Sequence, residues 1–179
     1  SNALLAYNES ISRDLDLAEA WHEKGLALAH LGRYNESISA FDESIHLQPQ
    51  AALSWYSKGI ALANLGSFKE SLLSLDEAIK RDDNLSGAWY SRALILSELG
   101  KNNEAIAALE KTVELDPDNE EAWLSLGLIL SSLGDHSSAL LAYNNVTDLN
   151  PINVPAWTKK GESLIALERY SDSSDALER

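Results

Sequence analysis

The sequence predicts an all-α chain of stacked antiparallel helix pairs, on three observations. Its five tryptophans, Trp21, Trp55, Trp89, Trp123 and Trp157, each stand 34 residues from the next. Within each interval apolar residues recur three and four apart, the spacing of one helix face. A Leu-Gly pair interrupts most intervals near the middle, and a proline closes several of them. Self-similarity at so short a period marks an array of one small unit, in which each helix hairpin buries its apolar face only against its neighbours.

Taken in order, Ser1-Asn2-Ala3 reads as the remnant of a cleaved expression tag, which would make the chain an excised fragment. Residues 4–17 form a partial repeat. Leu4, Tyr7 and Ile11 give the second helix of a unit whose first helix is missing, and Asp14 to Asp16 break it. Repeat 18–51 sets Trp21, Gly25, Leu28 and Leu31 on a first helix closed by Gly32. Tyr34, Ile38, Phe41 and Ile45 stripe its second helix, which ends at Pro49 because proline disfavours helical geometry in the residue before it. Repeats 52–85, 86–119 and 120–153 follow the same plan. Asp83 and Arg81 stand where the other repeats have proline and leucine, so the turn between 52–85 and 86–119 is expected to be less rigid. A truncated repeat, 154–179, opens with Pro155 in a helix first turn, where the missing N–H costs nothing. Residues 4–179 are thus expected to form a single solenoid domain.

Gly25, Gly59, Ala93, Gly127 and Gly161 lie one turn after each tryptophan. Glycine inside a helix costs up to about 1 kcal/mol against alanine, so small residues kept at that point imply close helix approach. Ser37, Ser71, Ala105, Ala139 and Ser173 repeat the theme in the second helices, with serine also readable as a surface residue.

The composition bounds the function. There are 28 acidic and 14 basic residues, a net charge of −14, which repels phosphate backbones and argues against nucleic acid as a general partner. The chain has no cysteine, which removes thiolate chemistry and cysteine metal sites and fits a reducing, cytoplasmic setting. No apolar run approaches the ~20 residues of a membrane span, so no membrane partner is expected. Targeting signals would be missing from an excised fragment.

Tryptophan, a small residue four on, Leu three further, a Leu-Gly turn, an aromatic two on and a closing proline together resemble the tetratricopeptide repeat (TPR). The likeness covers essentially the whole chain after Ala3. It implies a right-handed superhelix whose concave wall is made mainly by the first helices, where family members usually hold peptides or protein segments. The family's inward positions map onto His22, Tyr56, Tyr90 and Leu124, then Leu26, Ile60, Leu94 and Leu128, with His30, Asn64 and Glu98 further along. This wall is apolar and aromatic with polar edges, and the two tyrosines are the expected anchors. An apolar or mildly basic segment suits it. A TPR subclass clamps the C-terminal carboxylate of chaperones with lysine, asparagine and arginine. The matching positions here, His22, Leu26, Ser57, Gly87 and Ser91, lack that charge, which argues against chaperone-tail binding.

No catalytic, cofactor or metal site is expected. His22 and His30 lie eight apart, too far for a chelating pair on one helix, and no glycine-rich phosphate loop is present. Asp82-Asp83 and Glu120-Glu121 read as helix-start carboxylates that complement the dipole. The expected function is a non-enzymatic protein- or peptide-binding scaffold. The alternative is a structural or self-assembly module acting through oligomerisation.

Overall fold

The computed structural model describes residues 2–13 and 17–177. The break expected at 14–16, together with residue 1 and the last two residues, lies outside them. In chain order the helices are α1 (Asn2–Arg13), α2 (Ala18–His30), α3 (Tyr34–Leu47), α4 (Ala52–Asn64), α5 (Phe68–Arg81), α6 (Ser86–Glu98), α7 (Asn102–Leu115), α8 (Glu120–Ser132), α9 (His136–Leu149), α10 (Val154–Ala166) and α11 (Tyr170–Leu177). They belong to two compact units, Ser1–Ile95 and Leu96–Arg179, whose boundary falls inside α6. In unit 1, α1 packs on α2, α2 on α3, α3 on α4 and α4 on α5. In unit 2, α7 packs on α8, α8 on α9, α9 on α10 and α10 on α11. Within each unit these helices rest on their neighbours in sequence, the packing pattern of a helical solenoid.

The small residues one turn after each tryptophan sit where the two helices of a repeat come closest. A Cβ added to Gly25 would lie 2.5 Å from Phe41 Cε1, and one added to Gly127 would lie 2.5 Å from Tyr143 Cε1. At Gly59 the opposing group is Leu75 Cγ, 2.9 Å away. Phe41, Leu75 and Tyr143 are all fully buried. The paired serines are not surface residues. Ser37 Oγ donates to the Gly25 carbonyl at 2.8 Å, Ser71 Oγ to Gly59 at 2.6 Å and Ser173 Oγ to Gly161 at 3.2 Å. The burial of these hydroxyls is thereby satisfied within the hairpin.

Successive repeats are sewn together by the tryptophans. Trp55 Nε1 donates to the Pro49 carbonyl at 3.1 Å, Trp89 to Asp83 at 2.9 Å, Trp123 to Pro117 at 2.9 Å and Trp157 to Pro151 at 2.9 Å. The acceptor is the carbonyl six residues upstream, so Asp83 serves as well as proline. Around Asp83 polar groups take over the turn. Asp82 closes α5, and its Oδ1 accepts from the Asn84 N–H at 3.1 Å, an Asx turn. Asp82 and Asp83 therefore follow one helix end and do not start the next, which opens at Ser86. Arg81 replaces the usual leucine by other means. Its guanidinium lies 4.7 Å over the Trp55 ring, its Nε donates to the Pro49 carbonyl, and its Nη1 reaches the Glu77 carbonyl at 2.6 Å. The turn expected to be less rigid is tied on both sides.

Each first helix ends in one motif. The N–H of Gly32 donates to Ala29 O at 2.9 Å and that of Arg33 to Leu28 O at 3.0 Å, a Schellman cap that requires positive φ at its centre. Gly32, Gly66, Gly100 and Gly134 take φ between 72° and 83° there. In the last repeat the same hydrogen bonds form around Glu168, which holds φ 59° without being glycine.

Two outcomes follow for stability. Glu168→Gly should raise the thermal midpoint of the protein by about 2 °C, because a left-handed non-glycine residue costs on the order of 1 kcal/mol. Gly127→Ala should destabilise it by about 1–3 kcal/mol through overpacking against Tyr143, and Tyr143→Leu in the same chain should restore part of that loss in urea unfolding.

Candidate functional site

On α4, Trp55, Lys58 and Leu62 occupy one face, while Tyr56, Ile60 and Asn64 occupy another. The second face opens on a pocket of about 300 Å³ in unit 1, and five of the residues predicted for the groove meet there: Leu26 and His30 from α2, and Tyr56, Ile60 and Asn64 from α4. Ala29, Tyr34, Phe41, Ser57 and Ala61 complete the lining. No carboxylate, lysine or arginine is among these residues, and the cavity is apolar at its base and polar at its edge.

The polar groups are held in place locally. Asn64 Nδ2 donates to the Ile60 carbonyl at 2.9 Å, one turn back on its own helix. Tyr56 is partly buried against the cluster of Leu75, Ala78, Ala88 and Ile95. A Cβ on Gly87 would come within 3.1 Å of the Tyr56 hydroxyl. Gly87 thus makes room for the ring, and Tyr56 contributes to packing between repeats as well as to the pocket.

His22 lies beside this cavity. Its ring is 5.5 Å from that of Phe41, tilted by 48°. Its Nδ1 is 3.0 Å from Ser54 Oγ, and Ser54 Oγ is 2.9 Å from buried Ser44 Oγ. This line of three polar side chains, half-buried at His22 and buried at Ser54 and Ser44, joins α2, α4 and α3. Sequence reasoning missed it. The available signal was that Ser54 stands where every other repeat carries alanine, and Ser44 where the later repeats carry Ala78, Thr112 and Val146. Tyr90 and Leu94 lie on α6 in unit 1, partly buried and exposed respectively, outside the pocket lining. Glu98, Leu124 and Leu128 belong to unit 2, with Leu124 partly buried and the other two exposed.

The positions of unit 2 equivalent to the pocket are more polar. Ala29, Tyr34 and Phe41 are answered there by Ser131, His136 and Tyr143, and Ile60 and Ala61 by Glu162 and Ser163. Ser131 Oγ lies 3.4 Å from His136 Nδ1. Burial pushes the Tyr143 hydroxyl up to about 12, partly offset by the nearby Ser131 hydroxyl. Neither Tyr143 Oη nor Ser163 Oγ has a partner in hydrogen-bond geometry. Among the described residues no group of three or more His, Cys, Asp or Glu is placed to hold a metal ion. Nor is any helix among them long and apolar enough to cross a membrane.

Burial holds His22 below its ordinary value of 6.5, with Glu23 and Glu19 offsetting part of the effect. The unfolded chain therefore takes up this proton first as pH falls below about 6.5, and the folded state loses stability over that interval. Urea unfolding of the wild type from about pH 7.5 to about pH 5.5 should show declining stability, and His22→Phe should flatten the decline. Equal slopes in the two proteins would remove His22 as its source.

The comparisons with known proteins agree with this architecture. Family models for the tetratricopeptide repeat match residues 1–52, 23–86 and 120–153, and a TPR repeat model matches residues 94–134. Among solved structures, YrrB, described as a TPR protein with an unusual peptide-binding site, superposes with a TM-score of 0.83 at 20% identity, over 97% of this chain and 89% of its own. MamA gives a TM-score of 0.82 at 19% identity over 90% of this chain and 88% of its own. MamA from Desulfovibrio magneticus RS-1 gives 0.78 at 21% identity, covering 89% of this chain and 90% of its own. At these identities the structural likeness concerns the fold. No curated protein matches the chain. The sequence matches together span residues 1–86 and 94–153, more than half of the chain, and the chain belongs to the tetratricopeptide repeat family.

Proposed function

We propose that the protein is a non-enzymatic scaffold that holds a segment of a partner protein against its first helices. The observation that carries this reading is the largely apolar pocket of about 300 Å³ formed by Leu26, His30, Tyr56, Ile60 and Asn64. It has the size and make-up of a site for one large apolar side chain, with Asn64, Ser57 and His30 available at the edge to bond a peptide backbone. His22, Tyr90 and Leu94 extend the same role along unit 1. In unit 2 the corresponding stripe is Leu124 and Leu128, with Glu98 ahead of them. The peptide-binding site ascribed to YrrB, a protein of the same fold, adds support.

The absence of lysine and arginine from the lining favours an internal apolar segment over a chain-terminal carboxylate, which needs bidentate donors. The net charge of −14 would speed the approach of a mildly basic segment without fixing how tightly it is held. An enzymatic role has no support in the geometry of the pocket. Its three polar edge groups include no nucleophile paired with a base.

Peptides selected from a displayed random library against the protein should share an aliphatic or aromatic residue. Ile60→Ala and Leu26→Ala together should weaken their binding about tenfold or more, with helicity by circular dichroism unchanged. Tyr56→Ala should add to the loss and also lower stability, because that ring packs on Gly87. Unchanged affinity in the Leu26 and Ile60 variant would sink the pocket assignment.

A further inference from the structure

The second helices of unit 1 carry another groove, on the opposite side of α4. Trp55 and Leu62 on α4, Ile38 on α3 and Leu73 on α5 line a cavity of about 490 Å³. Leu73 is 68% exposed, although it adjoins three other large apolar side chains. On α5 it lies between Glu70 and Glu77, three residues after the first and four before the second, so all three share one helix face. The positive charge at this site is already committed. Lys58 Nζ is 2.6 Å from Asp42 Oδ1 and 5.6 Å from the Trp55 ring centroid. Glu77 pairs with Arg81 and, at 3.7 Å, with Lys80. Among the described residues the Glu70 carboxylate has no ion-pair partner. The groove therefore offers an apolar floor, an exposed leucine and an uncompensated acid, in a protein of net charge −14.

The same build recurs around Trp21, Lys24 and Leu28, at about 430 Å³, and in unit 2 around Trp157, Lys160 and Leu164, at about 390 Å³. At the position of Leu73 those repeats carry Ser39 and Asp175. Of these three grooves, the one at Trp55 combines a cavity with a solvent-facing leucine.

We propose that the groove between α3 and α5 is a second docking site, and that its occupant is a basic amphipathic helix of a partner protein. An apolar stripe on such a helix would cover Leu73 and enter over Trp55 and Leu62, while lysine or arginine beside the stripe would face Glu70. This site is independent of the pocket on the first helices, and the two could be filled together.

The test uses a fluorescent model peptide made of leucine and lysine at helical spacing, with binding to the protein read by anisotropy. Binding should weaken as salt is raised. Leu73→Lys and Glu70→Lys, both at exposed positions, should each weaken it about fivefold or more. The Leu26 and Ile60 pocket variant should bind as wild type does. No binding at all, equal binding to the Leu73→Lys variant, or equal binding of a leucine–glutamate peptide would each overturn the proposal, as would loss in the pocket variant alone. So would concentration-dependent self-association in sedimentation that Leu73→Lys dissolves, since the groove would then belong to a second copy of the chain.

Discussion

Close approach inside each helix hairpin is the constraint on which the rest of the structure depends. With glycine at positions 25, 59 and 127, the facing side chains Phe41, Leu75 and Tyr143 sit where a Cβ would otherwise be. The hairpin can then close over a buried ring or leucine with no void. The nearby serines exploit the same approach, since only a short hydroxyl can bridge from Ser37 or Ser71 to the glycine carbonyl opposite. A glycine that weakens an isolated helix thus strengthens the pair. The cost in propensity is about 1 kcal/mol, against the several kcal/mol available from burying a large apolar side chain.

Once the hairpin is fixed, the seam between repeats follows. Trp55, Trp89, Trp123 and Trp157 each spend the single indole donor on a carbonyl of the preceding turn. Because the acceptor is main chain, the side chain at that turn is free to change. Arg81 shows how far this freedom extends. A leucine position is filled by a guanidinium that stacks on Trp55 and shares the Pro49 carbonyl with its indole. A cation–π interaction and hydrogen bonds do there what aliphatic packing does in the other repeats.

The fold was legible because its determinants repeat. One tryptophan says little, whereas five in register fix the helix order, the turns and the small-residue positions. What stayed hidden was whatever occurs once. The line from His22 through Ser54 to Ser44 needs two serines from different helices to arrive at one point, and no spacing within the chain announces that. The same holds for Glu120, whose carboxylate accepts from Asn150 and Asn153 across the turn before α10. Sequence reasoning read Glu120 as a helix-start acid, which it is, and could not see its second set of partners. The pocket stands between these cases. Leu26, Tyr56 and Ile60 could be placed by period and face, but Phe41 at its base looked like core alone, because a residue that is both core and pocket wall has no separate signature.

The two units share one plan but carry different side chains at the positions equivalent to the pocket. The pocket of unit 1 contains no carboxylate, lysine or arginine, and its base is the apolar ring of Phe41. In unit 2 the equivalent of Ile60 is Glu162, ion-paired to Lys159 at 2.7 Å, and the equivalent of Phe41 bears a hydroxyl. An aliphatic side chain that gains from desolvation in the first would have to displace water from a carboxylate in the second, and the cost of stripping a charge exceeds the gain from one buried methylene several-fold. The difference between the units therefore lies partly in side chains outside the hairpin closure, Ile60 against Glu162, and partly in the closing ring itself, Phe41 against Tyr143. The tryptophans and the small residues one turn after them can then recur along the array while the chemistry it presents changes from one repeat to the next.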